Sequence, residues 1–286
     1  MTQHVYTTLV DCAKLAEHLE DADWRVFDCR HQLSDTTAGE RAYVEGHLPG
    51  AGFLHLDRDL SGPMNGRNGR HPLPDPFLLA ARLAAAGVSG QTQVVAYDDA
   101  GGMIAGRLWW LLRWLGHDRV ALLDGGVAQW TREGRPLTPV VPVHAAAEFT
   151  VALRDETVST QRLEANLHEG DLCLIDVRSP DRFRGENETL DPVGGHIPGA
   201  RNRFFRDSLD ADGLFRPAAE LRREFLGILA GADPRQVVMQ CGSGVTACHS
   251  LLAMQLAGLP GAKLYPGSWS EWCSDAGSNA QRPVAR

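Results

Sequence analysis

Residues 237–250 read Val-Val-Met-Gln-Cys-Gly-Ser-Gly-Val-Thr-Ala-Cys-His-Ser: a short apolar run, one cysteine among glycines, and the beginning of a helical pattern. The β-branched valines predict a buried strand, and apolar residues continue at helical spacing to Leu256. Gly242 and Gly244 permit backbone angles that other residues resist. The stretch therefore predicts a strand, a tight loop and a helix, with Cys241 immediately after the strand.

The predicted position of Cys241 gives its thiol a chemical role. The first amides of a helix lack intrahelical partners and, together with the helix dipole, favour an anion. A thiolate is such an anion, and loops of this kind make cysteine sulfur nucleophilic at neutral pH. We therefore expect a nucleophile, although a buried packing role is the commoner fate of a free cysteine. Packing or indifferent exposure is predicted for Cys12, Cys29, Cys173, Cys248 and Cys273.

The composition is that of a globular protein with a packed core. The chain has 286 residues, of which 43% are hydrophobic and 22% are charged, so its length accommodates two ordinary domains. A formal net charge of −8 without a long basic run argues against nucleic acid or a membrane surface as a partner. The first residues show no export pattern and the cysteines are scattered, so we expect a cytoplasmic protein with free thiols and no metal site.

The chain contains two copies of one series of motifs. The first copy has Asp-x-Arg at residues 28–30 and Gly-His-Leu-Pro-Gly-Ala at 46–51. The second copy has Asp-x-Arg at 176–178 and Gly-His-Ile-Pro-Gly-Ala at 195–200. The matching order and nearly constant spacing indicate an internal duplication. Because these residues recur in both copies, we predict that the histidines bond to the backbone and that the Asp-x-Arg pairs stabilise strand ends.

Strand and helix patterns alternate within each copy. This alternation predicts an α/β fold in which each copy has a mainly parallel sheet flanked by helices. Between the copies, a proline-rich segment without helical period is typical of an extended linker. We place an N-terminal domain at residues 1–138, the linker at 139–149 and a C-terminal domain at 150–286.

The two copies differ at the position of the cysteine. In the second copy, Cys241 follows a predicted strand. The corresponding strand of the first copy is followed by Asp98. Only the C-terminal domain is therefore expected to form a covalent intermediate. Its site should lie outside the carboxyl ends of the strands, where ligands of parallel sheets collect.

With these motifs the sequence resembles the rhodanese superfamily, in particular its tandem-domain sulfurtransferases. The resemblance covers essentially the whole chain and includes the Cys-Gly-Ser-Gly-Val-Thr-Ala loop at 241–247. It implies two tandem rhodanese-like domains, of which the first lacks the catalytic cysteine. It also implies that Cys241 takes sulfur from a small-molecule donor as a persulfide and passes it to cyanide or a thiol without a cofactor. The remaining residues of the anion-binding loop would be Gly242, Gly244, Val245 and Thr246.

The resemblance favours 3-mercaptopyruvate as the donor. In the family, arginine and lysine directly after the cysteine accompany thiosulfate, whereas Gly242 and Ser243 stand at these places here. An uncharged loop attracts the thiosulfate dianion less strongly. A thiosulfate-specific sulfurtransferase is the alternative.

Arginine side chains are expected to hold the donor carboxylate, because a guanidinium group matches a carboxylate in geometry. The resemblance assigns this task to Arg182, and Arg184 is a second candidate. A further arginine that mammalian-type enzymes carry before Gly-His-Ile-Pro-Gly has no counterpart in this sequence. Arg184, Arg201 and Arg107 are open alternatives for its role.

The resemblance also implies a relay of Ser243, His71 and Asp57. In mercaptopyruvate enzymes the matching residues are proposed to protonate the departing enolate or to orient the donor. Histidine suits proton transfer because it titrates near neutral pH. An alternative for His71, which lies in Arg-His-Pro-Leu-Pro at 70–74, is the cap of a surface turn.

Two functions other than sulfur transfer to a small acceptor share features with this sequence. Phosphatases with a Cys-x5-Arg loop share this kind of site, but Ala247 stands where the arginine is required. A sulfur carrier that delivers its persulfide to a protein thiol stays open as an alternative. The acidic net charge would steer a basic protein partner.

Overall fold

The computed structural model describes residues 4–275 and 281–286 and divides into two compact units. Unit 1 consists of Met1–Gly62, Pro74–Asp155 and Ala211–Phe215. Unit 2 consists of Pro63–Leu73, Glu156–Asp210 and Arg216–Arg286. A segment from the N-terminal half of the sequence thus belongs to the unit that carries Cys241. The domain limits derived from the sequence stay a prediction.

Unit 1 contains a five-stranded sheet with the order β1-β5-β4-β2-β3. Each pair of neighbouring strands described in this sheet is parallel. Its strands are β1 (Leu9–Val10), β2 (Trp24–Asp28), β3 (Ala51–Phe53), β4 (Gln93–Tyr97) and β5 (Val120–Leu123). Its helices are α1 (Cys12–Glu17), α2 (Ala38–Glu45), α3 (Pro76–Ala85), α4 (Ala105–Trp114) and α5 (Gly126–Arg132).

Unit 2 repeats this plan with a four-stranded parallel sheet in the order β7-β6-β8-β9. Its strands are β6 (Cys173–Asp176), β7 (Arg201–Asn202), β8 (Val237–Gln240) and β9 (Lys263–Leu264). Its α-helices are α6 (Thr160–Glu169), α7 (Pro180–Phe183), α8 (Ala218–Leu229), α9 (Thr246–Leu256) and α10 (Ser268–Trp272). Short 3₁₀ helices span Phe205–Ser208 and Pro234–Gln236.

The two sheets confirm the predicted α/β fold and its duplication. The order β3-β2-β4-β5-β1 of unit 1 recurs as β7-β6-β8-β9, and a parallel bridge between Thr157 and Leu264 stands where β1 pairs with β5. All residues of β4 and β8 are buried, as expected for central strands covered on both faces. No helix within 4–275 and 281–286 has the length and apolar character needed to cross a bilayer.

The duplicated Asp-x-Arg pairs stabilise the ends of β2 and β6, as predicted. Arg30 Nη2 donates to Asp28 at 2.6 Å and to the carbonyl of Gly46 at 2.7 Å. Arg178 Nη2 makes the equivalent bonds to Asp176 at 2.6 Å and to the carbonyl of Gly195 at 2.7 Å. These buried ion pairs join the strand end to the Gly-His-x-Pro-Gly turn in each unit.

The duplicated histidines bond to the backbone, which confirms their predicted structural role. His47 Nδ1 lies 2.7 Å from the carbonyl oxygen of Tyr43, and His196 Nδ1 lies 2.9 Å from that of Phe183. Each imidazole also stacks on the ring of the residue whose carbonyl it contacts, at centroid distances of 3.9 and 3.7 Å.

Candidate active site

The cysteine loop occupies the predicted position between a buried strand and a helix. β8 ends at Gln240, and α9 begins at Thr246. The Sγ atom of Cys241 accepts a hydrogen bond from the Gly244 amide at 3.1 Å, and the residue is 2% exposed. A backbone donor aimed at the sulfur stabilises negative charge on a thiolate or on a persulfide.

Gly244 must be glycine for the loop to close in this way. Its φ is +77°, and a Cβ at this position would lie 2.2 Å from the carbonyl oxygen of Pro266. Any side chain would therefore clash with the backbone of the loop that precedes α10, in addition to the strain of a left-handed conformation. With the backbone in this position, the Gly244 amide lies within hydrogen-bonding distance of the Cys241 sulfur.

The beginning of α10 holds the other side of the cysteine loop. Ser268 Oγ accepts a hydrogen bond from the Cys241 amide at 3.1 Å. The carbonyl oxygens of Cys241 and Gly242 accept bonds from the amides of Trp269 at 3.0 Å and Ser270 at 2.9 Å. Ser268 has a φ of +54°, an uncommon conformation for a residue with a Cβ.

Ser268 is a supporting residue that the sequence reasoning did not identify. Its counterpart in the first copy is Gly126, which has a similar φ of +56°. The available signal in the sequence was a serine at a position where the first copy has glycine. In the first copy this glycine adopts a left-handed conformation. The hydroxyl group explains the exchange, because it satisfies the Cys241 amide.

Two residues of the predicted relay meet in unit 2. His71 Nδ1 lies 2.7 Å from Ser243 Oγ, and the two residues are only 6% and 7% exposed. His71 belongs to Pro63–Leu73, the segment that the N-terminal half of the sequence contributes to unit 2. Its burial contradicts the alternative of a surface-turn cap.

The third predicted relay residue, Asp57, lies in unit 1 among histidines. Its Oδ2 atom is 4.0 Å from Nε2 of His31 and 4.0 Å from Nδ1 of His55. Each of these three residues offers one atom of a type that binds metal ions, and the three atoms lie within 4.8 Å of one another. However, His55 Nδ1 accepts a hydrogen bond from the Asp57 amide at 3.1 Å, and His55 Nε2 lies 2.9 Å from the carbonyl oxygen of Thr36. Both nitrogens of that ring are therefore engaged, and the relay role of Asp57 stays a prediction.

The two predicted substrate arginines have different surroundings. The Arg182 guanidinium bonds to Glu188 at 2.9 Å and to Asp191 at 3.3 Å, and a Cβ on Gly242 would lie 3.6 Å from both of its Nη atoms. Arg184 is about half exposed and pairs with Glu186 at 2.7 Å. The geometry therefore brings Arg182 to the cysteine loop and gives Arg184 a surface ion pair.

The sequence reasoning missed a further cation beside the loop, Arg70. A Cβ on Gly242 would lie only 2.8 Å from Arg70 Nη2. Its guanidinium pairs with Asp191. Burial raises the pKa of the Asp191 carboxyl above its ordinary value, and the charges of Arg70 and Arg182 offset only part of this rise. The available signal is its position directly before His71, the predicted relay residue.

The corresponding loop of unit 1 is occupied by its own carboxylate. Asp98 is fully buried and accepts four backbone hydrogen bonds of 2.7–2.9 Å. The donors are the amides of Ala100, Gly102, Ile104 and Ala105. The anion-binding loop thus exists in both units, but in unit 1 an internal carboxylate fills it.

Comparisons with known proteins agree with this architecture. The model of the rhodanese-like domain matches residues 11–133 and 159–275. A probable 3-mercaptopyruvate sulfurtransferase of Pseudomonas aeruginosa is 47% identical over 281 residues, which cover 97% of both chains. The thiosulfate sulfurtransferase of Mus musculus is 35% identical over 94% of this chain and 93% of its own. Among solved structures, SseA from Escherichia coli, which is described among 3-mercaptopyruvate sulfotransferases, matches with a TM-score of 0.79. The two sequences are 33% identical, and the match covers 93% of this chain and 100% of that chain.

These similarities extend over both units and include the cysteine loop of unit 2. The two segments that match the domain model correspond to the two copies found in the sequence. Membership of one family explains the two parallel sheets, the duplicated Asp-x-Arg and Gly-His-x-Pro-Gly motifs, and the cysteine at the end of β8. The chain belongs to the rhodanese family and is a sulfurtransferase with two rhodanese-like domains.

Proposed function

We propose that this sulfurtransferase takes sulfur from 3-mercaptopyruvate through a persulfide on Cys241 and passes it to a thiol or to cyanide. One observation carries the choice of donor: the 2.7 Å hydrogen bond between His71 Nδ1 and Ser243 Oγ, two residues after the cysteine. This buried pair is suited to moving a proton next to the reacting sulfur.

The first step needs a proton at carbon. The Cys241 thiolate attacks the thiol sulfur of 3-mercaptopyruvate, an S–S bond forms, the C–S bond breaks, and its electron pair leaves on carbon as pyruvate enolate. The Ser243 hydroxyl protonates this carbon and regains a proton from His71. The proton lost by the Cys241 thiol balances the one gained by pyruvate, so no further acid is required.

The proton requirement distinguishes the two donors. Thiosulfate would release sulfite, a stable anion that leaves without protonation. Ser243 and His71 therefore assist a mercaptopyruvate reaction, whereas a thiosulfate reaction makes no use of them. The need for a proton at carbon favours 3-mercaptopyruvate independently of the charge of the loop.

In the second step the acceptor attacks the outer sulfur of the persulfide. Cyanide forms a C–S bond and leaves as thiocyanate, while the S–S bond electrons return to Cys241 as thiolate. A thiol acceptor would leave as a persulfide by the same displacement. The Gly244 amide, which bonds to Sγ at 3.1 Å, supports the charge on the departing thiolate.

Other residues enter the proposal with different support. The loop residues Gly242, Gly244, Val245 and Thr246 would shape the anion site, and Arg182 would bind the donor carboxylate. The roles of Asp57 in the relay and of Arg184 in substrate binding are kept as predictions from the sequence. We also retain the predicted domain limits, 1–138 and 150–286, with a linker at 139–149.

The setting of the reaction is also part of the proposal. The six cysteines are free thiols, which suits a reducing cytoplasm. The net charge of −8 argues against nucleic acid and membrane surfaces as partners. A small thiol or cyanide is the proposed acceptor, and a protein thiol is the alternative.

Comparison of the two donors tests the proposal. With cyanide as acceptor, kcat/KM should be higher for 3-mercaptopyruvate than for thiosulfate. Ser243→Ala should lower the 3-mercaptopyruvate value by about 100-fold or more and change the thiosulfate value much less. A wild-type preference for thiosulfate, or an equal loss with both donors, would reject the proposed donor. Rapid transfer to a purified protein thiol, with slow transfer to cyanide and small thiols, would favour the carrier alternative.

A further inference from the structure

Unit 1 contains a cavity of about 500 Å³ beside its edge strand, β3. This volume lies within the range of about 300–1,000 Å³ that is usual for small-molecule sites. Residues of β2, β3, α2, the end of α3 and the segment 141–144 line the cavity. Within the described ranges, none of the residues proposed for sulfur transfer belongs to this lining. The cavity therefore has no role in the reaction proposed for unit 2.

The two copies differ at the residue that borders this space. Gly52 in β3 and Arg201 in β7 both directly follow the motif Gly-His-x-Pro-Gly-Ala, so they are counterparts. Arg201 Nη1 donates to the carbonyl oxygens of Ile228 and Leu229, the last two residues of α8. In unit 2 an arginine thus spans the distance from the edge strand to the end of a helix. In unit 1 the counterpart has no side chain, and the cavity lies between β3 and the end of α3.

Aromatic rings form much of the apolar lining. A Cβ on Gly52 would lie 3.3 Å from Cε1 and 3.4 Å from Cδ1 of Phe27, so the space over this glycine borders the Phe27 ring. The rings of Tyr43 and Phe53, which also line the cavity, have centroids 5.3 Å apart. A flat apolar group gains from packing against such rings. The missing side chain at Gly52 leaves room for a group of this kind.

The charged side chains of the lining leave one cation in excess. Arg58 pairs with Glu40 at 3.0 Å, and Arg82 pairs with Asp59 at 3.2 Å. Arg25 is the third arginine of the lining, which holds only these two carboxylates. The lining therefore has a net charge of +1, and it comes from Arg25.

Arg25 has N–H groups that a ligand could use. Its Nη1 atom donates to the carbonyl oxygens of Ala22 at 3.0 Å and Trp24 at 2.6 Å. Within 4–275 and 281–286, its buried Nε has no hydrogen-bond partner and its Nη2 donates no bond. Burial lowers the pKa of Arg25 below its ordinary value, and the charge of Asp23 offsets only part of this effect. Because arginine stays charged at neutral pH, an anion in the cavity would supply the counter-charge.

His144 lies next to this guanidinium group and adds no second charge. A Cβ on Gly87, whose φ is +80°, would lie 2.9 Å from Arg25 Nε and 3.0 Å from the Cβ of His144. Glycine at this position therefore allows both side chains to approach the same backbone. Burial and the charge of Arg25 lower the pKa of His144, so its imidazole is neutral at neutral pH. The excess charge of the lining stays at one, which matches a singly charged ligand.

We propose that this cavity of unit 1 binds a small carboxylate with a flat apolar body. The carboxylate pairs with Arg25, because a guanidinium group matches it in geometry and charge. The apolar body lies over Gly52, against the rings of Phe27 and Phe53. The inference is independent of the donor proposed for unit 2. It gives a binding function to the unit that carries Asp98 in place of a catalytic cysteine.

Calorimetry with 2-naphthoate, a flat aromatic carboxylate, tests the inference on the whole chain. We expect a Kd below about 1 mM. Naphthalene-2-carboxamide has the same shape without the charge and should bind at least about tenfold more weakly. Arg25→Gln should weaken binding of 2-naphthoate by a similar factor. Arg132→Gln, at an exposed position on α5, is the matched control and should bind like the wild type.

A second variant closes the cavity with the residue that unit 2 uses. Gly52→Arg should abolish binding of 2-naphthoate. Gly90→Arg should leave the binding unchanged, because Gly90 is exposed and a Cβ there meets nothing within 4 Å. Melting temperatures and retained sulfur transfer would show that both variants are folded. If Gly52→Arg does not fold, Arg25→Gln and the carboxamide still decide the inference.

Three results would overturn the inference. The first is no binding of 2-naphthoate at millimolar concentration. The second is equal affinity for 2-naphthoate and its carboxamide, or equal affinity of wild type and Arg25→Gln for 2-naphthoate. The third is binding that Arg182→Ala removes and Gly52→Arg retains, because the ligand would then lie at the cysteine loop of unit 2.

Discussion

His71 Nδ1 lies 2.7 Å from Ser243 Oγ, although 172 positions separate the two residues in the sequence. Both residues are buried, so their hydrogen bond is little weakened by competition with water. The contact joins the segment Pro63–Leu73 to the cysteine loop within unit 2. It is the structural basis for the proposed protonation of the pyruvate enolate.

Replacement of His71 should impair turnover of 3-mercaptopyruvate more than binding. We expect His71→Asn to lower kcat by about 100-fold or more, because asparagine can hydrogen-bond to Ser243 but cannot transfer a proton at neutral pH. His168→Ala is the control, since His168 is exposed on α6. Steady-state kinetics with cyanide as acceptor provide the measurement. An unchanged kcat in His71→Asn would remove the relay from the mechanism.

Sulfur should be added to Cys241 alone. Burial raises the pKa of Cys12 and of Cys273 to about 12, so both thiols remain protonated at neutral pH and are poor nucleophiles. Mass spectrometry of the protein mixed with donor should show one added sulfur atom, located by peptide mapping. Cys241→Ser should show none, and Cys273→Ser should retain it. A persulfide on another cysteine of the Cys241→Ser protein would contradict the assignment.

Loss of the Asp98 carboxylate should destabilise unit 1 strongly. Asp98→Ala would leave four amides without their acceptor at a fully buried position, and we expect a loss of about 3–5 kcal/mol in the free energy of unfolding. Asp99→Ala, at the exposed neighbouring position, should change it by less than about 0.5 kcal/mol. Urea denaturation measures both. Similar values for the two variants would show that Asp98 does not stabilise its loop.

Gly244→Ala should affect both stability and activity. The substitution places a Cβ 2.2 Å from the carbonyl oxygen of Pro266, whereas Gly231→Ala has the same sign of φ but nothing within 4 Å. Gly231→Ala should therefore show only the cost of the left-handed conformation, about 1–2 kcal/mol. Gly244→Ala should cost more and should lower kcat/KM, because the amide that bonds to the Cys241 sulfur must move. Equal melting temperatures of the two variants would rule out the clash.

The ion pair between Arg154 and Asp118 should contribute to stability only above acidic pH. The hydrogen bond from Arg154 lowers the pKa of the Asp118 carboxyl below its ordinary value in unit 1. A lowered folded-state pKa stabilises the protein above the unfolded-state pKa, and this contribution disappears as the pH falls through the folded-state value. Because the pair is partly exposed, Arg154→Ala should cost at most about 1 kcal/mol at pH 7.

Denaturation curves at several pH values check this prediction. The difference between wild type and Arg154→Ala should decrease on acidification and vanish below the pKa of Asp118. Arg113, which also contacts Asp118, provides a comparison at the same carboxylate. A difference that stays constant between neutral and strongly acidic pH would mean that Arg154 acts through packing instead.

Patterns among residues that are close in the sequence determined the strands, the helices and the duplication of this protein. The valines before Cys241 and the apolar spacing after it define a strand and a helix, because burial and backbone geometry act over a few residues. The duplicated motifs predicted two parallel α/β units and structural roles for His47 and His196. The same comparison identified Asp98 as the counterpart of Cys241. The four amides that bind its carboxylate show why the loop of unit 1 resembles an anion site.

Only the tertiary structure decided which distant side chains meet at the cysteine. Arg70 approaches Gly242 because Pro63–Leu73 packs within unit 2, and no local pattern in an irregular segment encodes that packing. Ser268 reaches the Cys241 amide for a similar reason, since the loop before α10 lies against the loop after β8. The direction of a guanidinium or hydroxyl group depends on the partners that surround it, such as Asp191 for Arg70. These partners are far apart in the chain, so spacing alone does not reveal them.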